Sequence, residues 1–322
     1  MKIVIPGGSG QVGTILARAF HRDHEVVVLT RRSRDRPWRV VAWDGETLGP
    51  WQQEIDGADA VINLAGRSVN CRYGRSNRRA IMDSRIASTH VVGQAIAAAA
   101  RPPQVWLQAG TATIYAHRYD AGNDERTGVL GGLEKDAPST WRFSIDVARA
   151  WEHAFASAAT PRTRKVLLRS AMTLSPDRGG VFDALLGLVR HGLGGTIGDG
   201  RQFMSWIHED DFAAAVRWLI DRPDVDGVVN VASPHPLPNV EFMRILRQAY
   251  GARIGVPATP WMVEVGAWLM RTESELILKS RRVVPGRLLE RGFRFTWPLW
   301  HDAAADLCQR WDAMHRAPSR AA

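Results

Sequence analysis

Apolar residues come in short, unbroken runs along the first half of the chain. The first, at 2–6, ends in glycine, and similar runs recur at 25–29, 39–43, 59–66, 104–110 and 165–170. They are rich in Val, Ile and Leu and do not alternate with polar residues. That is the signature of strands buried on both faces, as in a parallel sheet. Between the runs the spacing becomes helical: 11–22 puts Val12, Ile15, Leu16 and Phe20 on one face, and 77–100 does the same with Ile81, Ile86, Val91, Val92 and Ile96. Residues 141–158 form a third amphipathic segment. Strand and helix in alternation predict a doubly wound α/β sheet.

After residue 170 the pattern changes. Eight glycines (179, 180, 187, 192, 194, 195, 198 and 200) surround one apolar helix within 178–202. A helix at 209–222 and a strand at 227–232 return to the sheet, and proline-punctuated helices follow at 238–250, 258–271 and 298–314. This predicts a sheet domain of residues 1–170 plus 203–232. A smaller, mostly helical C-terminal domain, on the substrate side, takes 171–202 plus 233–322, with a frayed tail at 315–322.

Hydrophobic residues at 45% and charged residues at 23% exclude a disordered chain. Apolar runs stay far below the length of a membrane span, and the chain begins with a strand and a glycine loop, not a charged leader, which points to the cytoplasm and away from membranes. Cys71 and Cys308 lack metal-ligand spacing and read as free thiols, with no metal site. The net charge of +9 raises the question of nucleic acid. However, only Lys2, Lys135, Lys165 and Lys279 are lysines, and the arginines spread over the whole length. The densest cluster, Arg72, Arg75, Arg78 and Arg79, has one aromatic neighbour, Tyr73. The expected partner is a small-molecule substrate rather than a nucleic acid, bound by a monomer or homodimer.

The loop Gly7-Gly8-Ser9-Gly10-Gln11-Val12-Gly13 joins the first strand to the first helix. A pyrophosphate on a helix N-terminus requires glycine here for three reasons: a tight turn, close backbone approach and helix–strand packing. The fold expected is therefore Rossmann-like. After the second strand, dinucleotide sites that bind NAD carry an acid for the ribose 2′-hydroxyl, whereas this chain reads Leu29-Thr30-Arg31-Arg32. Two guanidinium groups suit a 2′-phosphate, so NADP(H) is the expected cofactor.

These residues resemble the short-chain dehydrogenase/reductase superfamily, extended branch. Its glycine loop is matched by Pro6 to Gly13, and its fourth-strand motif by Asn63-Leu64-Ala65-Gly66. Its fifth-strand segment is matched by Ala109-Gly110-Thr111-Ala112-Thr113-Ile114-Tyr115, and the end of its sixth strand by Leu168-Arg169-Ser170-Ala171. Within it the chain is similar to the atypical "epimerase family", through Ser84-Arg85-Ile86, Ser205-Trp206-Ile207-His208 and the segments 280–285 and 292–295. The resemblance implies cofactor contacts at Asn63, Leu64, Ala65, Gly66, Arg85, Ala109, Gly110 and Arg169, and a substrate pocket at Arg201, Gln202 and Trp206.

The superfamily's proton chemistry uses a tyrosine with a lysine four residues later. Four residues before Lys135, Lys165 and Lys279 stand Gly131, Pro161 and Glu275, so the pattern does not occur. Matching Trp151-Glu152 to the end of the usual helix puts Ser144 and Ala148 in the two places. Thr111 and Tyr115 are then the candidate catalytic residues, with His117 or Arg118 near Tyr115 and Tyr119. The alternative for Tyr115 is packing beneath the loop. Asp146 and His208 read first as structural. Trp261, Trp268, Trp297 and Trp300 either line an apolar pocket or fill the core. The reading is an atypical oxidoreductase or epimerase-like enzyme on a small or sugar-derived substrate. The alternative is a catalytically silent NADPH-binding sensor or partner-binding protein.

Overall fold

The computed structural model describes residues 1–32, 35–134, 138, 141–259 and 275–315. The chain divides into two compact units, one of 1–116, 130–170 and 213–231, the other of 117–129, 171–212 and 232–322.

The first unit is built on a seven-stranded sheet. Its strands are β1 (Lys2–Pro6), β2 (Glu25–Thr30), β3 (Arg39–Ala42), β4 (Ala60–Asn63), β5 (Val105–Thr111), β6 (Arg164–Ser170) and, much later in the chain, β10 (Gly227–Val231). They run in the order β3-β2-β1-β4-β5-β6-β10, and every pairing is parallel. The order reverses between β1 and β4. In such sheets that switch point leaves a crevice beyond the strands' C-terminal ends.

The unbroken apolar runs of the inner strands are buried as their composition requires: Ile3, Val4 and Ile5 are inaccessible to solvent, as are Val61 and Ile62. β3, expected to be buried on both faces, is instead an edge strand whose residues are exposed or half-buried, since one of its sides has no neighbouring strand. Helices α1 (Gln11–Phe20), α2 (Arg75–Ala98) and α3 (Arg142–Ala156) follow strands β1, β4 and β5. One core unites Val4, Val27 and Val61 of the sheet with Val91, Val92 and Ile96 of α2 and Phe155 of α3. Trp106 meets Phe155 edge-on, with ring centroids 4.7 Å apart. Gly93 in α2 makes room for it, since a methyl there would come within 3.3 Å of the indole.

In the second unit, short strands β7 (Met172–Leu174) and β9 (Trp206–His208) pair in parallel, and β8 (Phe203–Met204) pairs antiparallel with β11 (Leu237–Pro238). Two- and three-residue strands carry no periodicity, which is why the sequence pattern does not announce them. Helices α4 (Val181–Arg190) and α6 (Asn239–Tyr250) and the helix Trp300–His315 enclose a core containing Phe182, Leu186, Trp206, Phe242, Leu246 and Trp300. Helix α6 ends as its sequence suggests, on Gly251 at φ 81°.

Segment 117–129 groups with this unit because it is bonded to the chain near 280. Ser280 N donates to His117 Nδ1 (2.8 Å), Asn123 N to Arg282 O (2.6 Å) and Val284 N to Asn123 O (3.0 Å). Most of the helix expected at 258–271, with Trp261 and Trp268, lies outside the described residues, as do Lys135 and tail residues 316–322. Among the described residues no helix is long and apolar enough to cross a membrane.

Candidate functional site

The glycines of the β1–α1 loop do different jobs. Gly7 has φ 75°, and a Cβ there would stand 2.6 Å from the Ala65 backbone. A Cβ on Gly13 would stand 2.3 Å from Gly8 Cα, so this glycine lets α1 press against the loop. Around Gly10, by contrast, the nearest protein atom to a Cβ is Gly7 O at 3.7 Å. That side of the loop faces open space.

Gly10 caps α1 without a side-chain hydrogen bond, and no acidic residue stands in the first turn. The first N–H groups of a helix have no intrahelical acceptor, so here they are available to an anion. The Gln11 side-chain amide nitrogen, on the helix's first residue, is buried without a hydrogen-bond partner. Thr30 Oγ1 donates to Ser9 Oγ (2.9 Å), which ties the loop to the end of β2.

A cavity of ≈ 290 Å³ opens beside this loop, lined by Gly7, Ser9 and Gly10, by Thr30 and Arg31 after β2, and by Leu64, Ala65 and Gly66 after β4. Trp43, Asp44, Gly45 and Glu46 line it after β3, and Arg67, Ser84 and Ser88 complete it. Asp44 accepts from the N–H groups of Glu46 (2.8 Å) and Thr47 (2.9 Å) and from the Thr47 hydroxyl. The Thr47 hydroxyl bond, then the two backbone bonds, hold its carboxyl down at about 2. Arg32 lines a smaller neighbouring pocket with Ser9, Thr14, Arg36 and Trp38. The β3 end and the two serines of α2 were not among the residues expected from sequence. The one available signal was positional: they end or follow strands on the same edge as the glycine loop.

Asn63 shapes the fourth-strand corner from below. It is fully buried, its Nδ2 donating to Gln108 Oε1 (2.9 Å) and its Oδ1 accepting from Ala65 N (3.1 Å). Arg85 of α2 lies against this corner, since a Cβ on Gly66 would be 3.2 Å from its Cγ. Its Nη1 donates to Arg67 O and Ile81 O, both at 3.0 Å, and its guanidinium lies 5.0 Å from the centre of the Trp151 ring. No carboxylate pairs with it among the described residues. Desolvation brings its pKa down to about 10, partly offset by the fields of Tyr73 and Cys71.

Arg169, at the end of β6, is held differently. Its Nε and Nη2 bind both oxygens of Glu152, each at 2.8 Å. Burial lowers its pKa, but the Glu152 contacts and Tyr115 outweigh that, and the net shift is upward. Its Nη1 donates to Tyr115 Oη (3.0 Å), and Tyr115 Oη in turn donates to Asn230 Oδ1 (2.9 Å). Tyr115 is 1% exposed, so its phenol is committed to this internal network. Thr111 ends β5 opposite Ser170, with its hydroxyl accepting from Thr113 N (3.2 Å). Ala109 and Gly110 precede it on the strand, opposite Leu168 and Arg169.

In the second unit, Arg201 stacks over Tyr119 at 5.6 Å. Gln202 is 2% exposed and donates to Ile197 O (2.9 Å). Trp206 is fully buried, donates to His235 O (3.3 Å) and packs 5.0 Å from Trp300, which stacks on Phe242 at 4.1 Å. Trp297 lies 5.0 Å from the ring of His208. His208 is buried, with Nε2 3.0 Å from Asp306 and Nδ1 accepting from Asp210 N (3.1 Å). Arg310 closes this group by pairing with Glu209, Asp210 and Asp306.

The model of the NAD dependent epimerase/dehydratase family matches residues 3–232. The chain belongs to that family. A second match, to a domain of unknown function (DUF1731), covers residues 258–307. Epimerase family protein SDR39U1 of Bos taurus is 31% identical over 307 residues, spanning 92% of this chain and 96% of that protein. Epimerase family protein YfhF of Bacillus subtilis (strain 168) is 29% identical over 301 residues, or 92% and 94%. Among solved structures, human SDR39U1 (isoform2) with NADPH superposes with a TM-score of 0.82 at 27% identity, covering 96% of this chain and 99% of that one. UDP-N-acetylglucosamine 4-epimerase from Bacillus cereus shares the fold, with a TM-score of 0.75 at 16% identity. The superfamily, the epimerase family and the Rossmann-like sheet read from the sequence are thus confirmed.

Proposed function

We infer that this chain is an NADP(H)-dependent enzyme of the oxidoreductase or epimerase-like kind, acting on a small or sugar-derived substrate. The observation that carries this reading is the uncapped N-terminus of α1 opening on a cavity that Arg31 also lines. Gly7, Ser9 and Gly10 suit the pyrophosphate, and the open side of Gly10 is where close approach is needed. Leu64, Ala65 and Gly66 suit the length of the dinucleotide. Arg31, with Arg32 alongside, suits a 2′-phosphate by charge-assisted hydrogen bonds. The NADPH in the human relative's structure supports the same choice. When bound, the nicotinamide supplies or takes a hydride, and the chain's own residues bind it, orient it and handle the proton.

Calorimetric titration with NADPH and with NADH tests this. Micromolar or tighter NADPH binding with much weaker NADH binding is the expected result, and absence of both overturns the reading. A silent NADPH sensor is the second reading, favoured by serine and alanine at 144 and 148. It predicts tight binding with no turnover of any carbonyl compound offered.

A further inference from the structure

NADP(H) carries negative charge in two places, on the ribose 2′-phosphate and on the diphosphate that joins its halves. Arg31 suits the first. For the second, the N-terminus of α1 offers only the partial charge of a helix end. We propose that Arg67, the residue that follows the Asn63–Gly66 corner, is the full cation for the diphosphate and serves NADP(H) and NAD(H) alike. The proposal rests on the cofactor reading above and deepens it.

Sheet order places Arg67. β1, which leads into the glycine loop, lies between β2 and β4. Arg31 follows β2 and Arg67 follows the corner after β4, so the two arginines flank the glycine loop from opposite neighbours in the sheet. Both line the cavity that Gly7, Ser9 and Gly10 also line. The β4 corner is close to the loop, since a Cβ on Gly7 would stand 2.6 Å from the Ala65 backbone. Arg67 comes two residues after Ala65, within roughly 7 Å of extended chain. A guanidinium on this flank is placed for phosphates seated over the glycine loop rather than for a ribose beyond β2. The acids lining the cavity, Asp44 and Glu46, follow β3, and β2 and β1 separate that strand from β4.

Helix α2 fixes this stretch of chain. Arg67 N donates to Ser84 Oγ (2.9 Å), and Arg67 O accepts from Arg85 Nη1 (3.0 Å). The side chain is tethered as well, with Nη2 donating to Asn77 Oδ1 (2.7 Å). Asn77 Nδ2 donates in turn to Arg72 O (2.7 Å), which keeps the amide oxygen turned to the guanidinium. Asn77 is neutral, so it orients the guanidinium without cancelling its charge, as a carboxylate in its place would. The Arg67 side chain is exposed, and this tether is its one hydrogen bond to the described residues. Most of its N–H donors thus remain for a ligand, in a planar fork that matches phosphate oxygens.

Calorimetric titration of the wild-type protein, Arg67→Gln and Arg67→Lys with NADPH, and with NADH up to millimolar concentration, tests this. Glutamine keeps a donor for Asn77 and removes the charge, so urea unfolding of the free protein is expected to stay unchanged. Arg67→Gln is expected to weaken both cofactors by the same factor, about tenfold or more, as for a hydrogen bond to a charged group. The preference for NADPH over NADH then stays as it was, whereas Arg31→Ala erodes it. Arg67→Lys, which keeps a point charge, recovers part of the loss. Undiminished binding of both cofactors by Arg67→Gln overturns the proposal and leaves the cofactor reading standing. A loss confined to NADPH also overturns it, because it moves Arg67 to the 2′-phosphate. A wild-type protein that binds neither cofactor overturns the cofactor reading, and this proposal with it.

Discussion

Arg169 and Arg85 belong to the same unit and both sit close to α3, yet they are treated in opposite ways. Arg169 is clasped by both oxygens of Glu152 and by Tyr115, and its charge is settled within the fold. Arg85 has two backbone carbonyls and an indole face, no carboxylate among the described residues, and a pKa brought down to about 10. A buried charge whose partner is present is part of the scaffold. One whose partner is missing, beside a cavity, marks where the fold leaves an interaction for chemistry or a ligand. The glycines of the first loop divide in the same way, with Gly13 filled against protein and Gly10 open.

The sharpest way to break this contrast is to remove a charge from each side. Glu152→Ala leaves Arg169 buried and unpaired, at an expected cost of about 3–5 kcal/mol in urea unfolding. Arg85→Met removes a charge that has no carboxylate partner among the described residues, and about 1 kcal/mol is expected from the lost backbone hydrogen bonds. Equal losses would show that Arg85 is as structural as Arg169.

Gly13→Ala and Gly10→Ala extend the test to the loop. The first drives a methyl into backbone and is expected to lower stability by about 1–3 kcal/mol as overpacking does. The second leaves unfolding nearly unchanged and weakens NADPH binding. Arg31→Ala sharpens the idea of a charge kept for a ligand. Its expected effect is a loss of about 1.5–3 kcal/mol in NADPH affinity, as for other hydrogen bonds to charged groups, with NADH nearly unaffected. Equal losses for both cofactors would remove the 2′-phosphate from the account.

The smallest effect is expected at His208, where burial wins over the attraction of Asp210 and Asp306 and lowers the pKa from 6.5. The unfolded chain takes up a proton below that value while the folded one resists. Stability therefore falls as pH drops from 6.5 towards the folded pKa, by at most about 1.4 kcal/mol per pH unit. His208→Gln should flatten that part of a pH–stability profile.

Strands and helices of the first unit were legible because β1, β2, β4, β5 and β6 are buried on both faces and so write continuous apolar runs. Helix bounds moved by one or two residues: α1 stops at Phe20 and α2 starts at Arg75. The glycine loop was legible because backbone crowding permits no other residue at Gly7 and Gly13. Much less of the site's rim could be read. Trp43, Ser84 and Ser88 line the cavity through tertiary placement, and nothing in their spacing says so. In the second unit, the resemblance puts Trp206 in the substrate pocket with Arg201 and Gln202, while in the fold it is fully buried and packs against Trp300. A tryptophan's pattern cannot distinguish a ligand face from a core face.

Trp43 is 7% exposed, lines the cavity at the end of β3 and meets Trp51 edge-on at 5.3 Å. Its indole emits in the band where a reduced nicotinamide absorbs. The molecule thus carries an optical reporter in the wall of the cavity proposed for the cofactor, and arrival of a reduced dinucleotide there is expected to dim tryptophan emission without any added label.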